Sequence, residues 1–109
     1  MIRSFGDKET EKIWLGIRST KLPNEIQDVA RRKLRMLANS QNLSDLKIPP
    51  SNHLEKLSGN LAGKFSIRIN QKWRLIFIWE ENQAFEVQIV DYHWTIPWKL
   101  LKTSTRAKF

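Results

Sequence analysis

The chain has 109 residues, 40% of them hydrophobic and five of them tryptophan, enough for one packed domain and too few for two. It contains no cysteine, which excludes a disulfide framework, a thiolate metal site and a cysteine nucleophile. Nineteen Lys and Arg against eleven Asp and Glu leave a net charge of +8, which favours a polyanionic partner, nucleic acid above all. The opening MIRSFGDKET has no apolar leader core, and no apolar run approaches the ~18 residues of a membrane span. A soluble cytoplasmic protein without membrane contact is expected.

In chain order, SFGDKETEKIWLGI starts a helix. Asp7 can cap it, Glu9 and Glu11 lie near its positive end, and Ile13, Trp14 and Ile17 share a face. KLPNEIQDVARRKLRMLANS is a second helix: Pro23 suits its first turn, and Ile26, Val29, Ala30, Leu34 and Leu37 recur at helical spacing. Arg31, Arg32, Lys33 and Arg35 cluster on and beside its polar side. A solvated face is the commoner meaning of such a run. Pro49 and Pro50 then mark a loop, with a short turn at Leu43–Leu46.

From Lys64 the period changes from helical to alternating. KFSIRIN, WRLIFIWE and AFEVQIVDYH each read as a strand. Helices first and an antiparallel meander after give an α+β class, with two N-terminal helices packed on one face of a small, mainly antiparallel, twisted sheet.

A three-residue loop at Asn70, Gln71 and Lys72 sets Phe65 opposite Phe77, Ile67 opposite Leu75, and Arg68 opposite Arg74. The apolar pairs form the core face, so the two arginines meet on the reverse, solvent-facing side. Like charges facing across a ladder cost stability, and these two strands offer no carboxylate to separate them. A loop at Glu81–Gln83 likewise pairs Trp79 with Phe85, Leu75 with Ile89, and Arg74 with Val90. Arg68, Arg74 and Tyr92 then converge at one end of the sheet, with Asp91 and His93 at the strand terminus. Taken singly, each has an ordinary surface or packing explanation. Together, two guanidiniums, a phenol, an imidazole and a carboxylate suit phosphodiester chemistry.

Residues 52–93 resemble the C-terminal half of HigB-type toxins of the RelE/ParE superfamily. The likeness is carried by L-x-G-x-x-x-G-x-x-S-I-R-x-N at Leu57–Asn70, W-R-x-x-F at Trp73–Phe77, and the terminal DYH. With MIRSF and the helical stretch it extends over residues 1–93, which sets off 94–109 as a basic, tryptophan-containing extension that the pattern lacks. The resemblance implies a metal-free and cofactor-free endoribonuclease cutting messenger RNA in the ribosomal A site. It also implies neutralisation by a HigA-type helix-turn-helix antitoxin, through which alone the toxin meets operator DNA. By position it implies a catalytic set of Arg68, Arg74, Asp91, Tyr92 and His93, with His53 and Lys56 as a further basic or proton-transferring pair. Which group is base and which acid stays open. Two alternatives remain: a non-enzymatic ParE-like inhibitor binding DNA gyrase, against which the clustered side chains weigh, and a plain basic nucleic-acid-binding module, against which the lack of a helix-turn-helix pattern, zinc spacing or aromatic RNA platform weighs.

Overall fold

The computed structural model describes residues 1–91: two helices, then four strands that lie side by side in chain order, all neighbours antiparallel. This is the expected α+β class. Helix α1 (Lys8–Trp14) begins at Asp7, whose side chain accepts from the Thr10 amide at 2.7 Å. It ends earlier than the apolar spacing implied. Gly16 turns the chain at φ +83°, and Ile17, expected on the buried face, is 52% exposed. Helix α2 (Asn24–Asn39) follows Pro23 and buries Ile26, Ala30, Leu34 and Leu37, with Val29 half-buried at the margin of the stripe. Between the helices the buried Gln27 closes the link from its side chain. Its Oε1 accepts from the Ser19 amide, and its Nε2 donates to the carbonyls of Ser19 and Leu22, all at 2.9–3.0 Å.

Strands β2 (Lys64–Arg68) and β3 (Trp73–Glu80) pair in the anticipated register, including Phe65 with Phe77, Ile67 with Leu75, and Arg68 with Arg74. Their loop is fastened by Asn70, whose Oδ1 accepts from the amides of Lys72 and Trp73. Strand β4 (Gln83–Asp91) keeps the anticipated register at its far end, Leu75 with Ile89 and Arg74 with Val90. Near the hairpin the register differs by one: Trp79 faces Ala84, not Phe85. The turn holds two residues, Glu81 and Asn82, both at positive φ, a geometry whose twist matches the flanking strands. A bulge at Glu86 (φ +53°) absorbs the extra residue and restores the pairing beyond it.

The first residues run parallel to β4, with bridges Ile2–Ala84 and Phe5–Val87, so the sheet is antiparallel in the main rather than throughout. Ser4 completes the bulge, its Oγ accepting from the Glu86 amide at 2.9 Å. On the helical side, Ile67, Leu75, Phe77, Val87 and Ile89 pack with Ile13, Ile26, Ala30, Leu34 and Leu37. The reverse side is not wholly solvent-facing: Leu57, Ile76 and Val90 form a second buried cluster, with Leu61 against it. Among the described residues no helix is long and apolar enough to cross a membrane. Tyr92, His93 and the 94–109 extension lie outside the described residues.

Candidate active site

A strand absent from the sequence reading builds the site. Glu55 and Lys56 form β1, which pairs Glu55 with Ser66 and Lys56 with Phe65. Directly opposed residues share a face of the sheet, so Glu55 and Ser66 stand on the side that carries Arg74. Arg74 Nη1 donates to Ser66 Oγ at 2.9 Å and to the His53 carbonyl at 2.9 Å, and lies 3.8 Å from Glu55 Oε1. The residue is 8% exposed. Its expected position on an open solvent face is therefore corrected: the segment from His53 to Leu61 folds over that face. The carboxylate that these two strands do not offer arrives from a third, as Glu55 on β1. A cation opposite Arg68 is tolerable because a carboxylate, a hydroxyl and a carbonyl surround it.

Arg68 is half-buried at the end of β2, its Nε donating to the Asn70 carbonyl at 3.3 Å. His53 takes a left-handed conformation (φ 46°, ψ 57°), with its amide donating to the Pro50 carbonyl and its side chain exposed. Asn52 holds that turn in place. It is fully buried, its Nδ2 donates to the carbonyls of Leu46 and Ile48, and its Oδ1 accepts from Lys33 Nζ at 2.5 Å. The His53 carbonyl that Arg74 uses is thus tied through Asn52 to α2. Burial, and then the charge of Arg32, pull the Lys33 pKa below its ordinary value.

Lys56 is exposed at the outer edge of the sheet. Asp91, the last residue of β4, is half-buried opposite Trp73, beside the Arg74–Val90 pair. The structure therefore brings Arg68, Arg74 and the His53 carbonyl together at one end of the sheet, on the face away from the helices. Asp91 ends β4 there, but its pairing with Trp73 puts it on the helical face, a correction to the expected convergence, and Lys56 follows His53 by three residues. Tyr92 and His93 continue the chain from Asp91, outside the described residues. Three contributors escaped the sequence reading: Ser66, Glu55 and Asn52. Ser66 left a legible trace, a small polar residue in strand alternation two before Arg68. Asn52 in PPSNH left none, since its role depends on a helix some twenty residues away. Among the described residues no three His, Asp or Glu side chains gather as metal ligands would.

Two helices on a meander whose far end holds opposed arginines describe a RelE-like toxin. The sequence comparisons narrow that class. A family model for the RelE-like toxin of type II toxin–antitoxin system HigB matches residues 3–93. Toxin HigB-1 of Vibrio cholerae serotype O1 is 40% identical over 90 residues, 82% of this chain and 95% of that toxin. An uncharacterized protein of Haemophilus influenzae is 42% identical over 65 residues, 60% of this chain and 64% of that protein. The chain belongs to the HigB family, the toxins of type II toxin–antitoxin systems, and its partner is accordingly an antitoxin.

Proposed function

We propose that the protein is a ribosome-dependent endoribonuclease that cleaves translated messenger RNA without a metal. The observation that carries this reading is the pair Arg68 and Arg74, opposed across the β2–β3 ladder at the end of the sheet where β4 closes with Asp91. In the reaction the ribose 2′-oxygen attacks the adjacent phosphorus and loses its proton to a base. The bond from phosphorus to the 5′ oxygen breaks, an acid protonates that oxygen, and a 2′,3′-cyclic phosphate remains. Arg68 and Arg74 stabilise the charge that grows on the phosphorane. His93 transfers protons, since an imidazole of ordinary pKa near 6.5 serves in both directions. Asp91 orients it or acts as base, Tyr92 holds the base or phosphate by stacking or hydrogen bonding, and His53 and Lys56 complete the set. Ser66, Glu55 and the His53 carbonyl fix the Arg74 fork, so that it is organised before substrate arrives.

The site of action is the ribosomal A site in the cytoplasm, reached through the basic surface. A HigA-type helix-turn-helix antitoxin neutralises the toxin by covering that surface, and operator DNA is met only through it. Purified protein incubated with programmed ribosomes tests the reading. New 2′,3′-cyclic phosphate ends on the message are the expected product, formed also during a chelator pulse brief enough to keep ribosomes assembled. Intact message on translating ribosomes, or loss of cutting on chelation, would refute it. Blocked DNA replication with normal amino-acid incorporation would point to gyrase.

A further inference from the structure

A groove of about 390 Å³ lies where α2 passes the end of β2. Val29 and Ile69 are its apolar lining, Arg32, Lys33 and Arg68 its cations, and Ser51 and the start of the 70–72 loop complete it. Among the described residues no carboxylate lines this groove, and none pairs with its three cations. Cations crowded without a counter-charge repel one another, and a fold keeps such an arrangement at a cost unless an anion joins it. The depressed Lys33 pKa reports part of that cost, from burial and from Arg32. Lys33 is held by Asn52, and Arg68 by the Asn70 carbonyl. Arg32 lies on the exposed side of α2. The volume falls within the ~300–1,000 Å³ of small-ligand sites, room for a nucleotide rather than a bare ion.

Arg68 belongs both to this groove and to the arginine pair across the ladder. We propose that the groove seats a backbone phosphate of the message strand, one flanking the phosphate that is cut, with Arg32 and Lys33 as its ligands. The inference rests on the reading of the protein as an RNA-cleaving enzyme. It commits to message rather than ribosomal RNA because the groove opens from Arg68 itself.

The test measures binding of full-length protein to ribosomes loaded with a message that carries a 2′-deoxy residue at the cut, so that no chemistry is needed. Single backbone phosphates around the cut are replaced by neutral methylphosphonates. At one flanking position the replacement should weaken wild-type binding roughly two- to fivefold, the range of an exposed cation–anion contact. Arg32→Gln should lose the same factor on unmodified message and nothing further on the modified one, the non-additivity of a shared contact. Arg35→Gln, on the same helix but outside the groove, should remain additive. The proposal is overturned by full additivity of Arg32→Gln at every position, or by equal losses in Arg35→Gln. It is also overturned if Arg32→Gln weakens binding to ribosomes without message by the same factor, or if wild type does not bind the loaded ribosomes. Cleavage of the unmodified message by wild type is scored separately, so failed chemistry with a position-specific contact removes the enzymatic reading and leaves the phosphate site.

Discussion

At Arg74 the surroundings change what a substitution means. An arginine 8% exposed, bonded to Ser66 Oγ and the His53 carbonyl, is part of the packing as well as of the chemistry. Arg74→Ala should lower cleavage by about 10²–10³ and also lower stability by about 2–4 kcal/mol, because buried polar partners lose their donor. Urea unfolding beside single-turnover cleavage would read both, and an Arg74→Ala protein as stable as wild type would contradict the burial. Arg68→Ala removes a half-buried residue and should cost cleavage with less than about 1 kcal/mol of stability. Glu9 makes a prediction of a different kind. The Ser19 hydroxyl, followed by Lys12, holds its carboxyl below the ordinary 4.5. The folded-state pKa is thus below the unfolded one. The contact contributes stability above the ordinary value and loses it as pH falls through the lowered one. Ser19→Ala should return the Glu9 titration, followed by NMR, toward 4.5.

Elements here are joined by a few buried side chains in addition to the core. Gln27 supplies the hydrogen bonds that the chain between α1 and α2 cannot make for itself. Gln27→Leu fits the apolar surroundings but strands one amide and two carbonyls, and should cost about 2–4 kcal/mol. The denaturation midpoint measures that loss, and faster exchange of the Ser19 amide would place it in this link. The sequence exposed most of these elements because their periods are strong: α2 by its apolar stripe, β2 and β3 by alternation across a loop of fixed length. What it missed was short or irregular. Two residues cannot display a strand period, so β1 was invisible, and with it the carboxylate beside Arg74. The register near Glu81 slipped by one because a bulge at Glu86 leaves alternation intact on either side of it.

For the whole molecule, a charge of +8 on 109 residues governs how a toxin of this family meets its partners. Binding to ribosomes should weaken steeply with salt, as contacts to RNA phosphates release counterions. Induced expression should halt amino-acid incorporation before DNA synthesis, as pulse labelling of each would show. In purified reactions His93→Gln should slow cleavage by ~10²–10⁴-fold, the usual worth of a positioned acid–base group. Full activity in that variant would pass the role to His53, Asp91 or Lys56.

By itself the sequence determined the class of fold, the first hairpin and the opposition of Arg68 to Arg74, since each follows from local periodicity and the length of one loop. The motifs around those arginines were enough to mark the family likeness. Only the tertiary structure decided that Arg74 is buried, which residues hold it, and that Arg68 looks onto a basic groove beneath α2. Those facts rest on contacts between segments far apart in the chain: His53 with Arg74, Lys33 with Asn52, α2 with the end of β2. Periodicity reports which face a residue occupies; what covers that face is set by how the remaining chain closes over it.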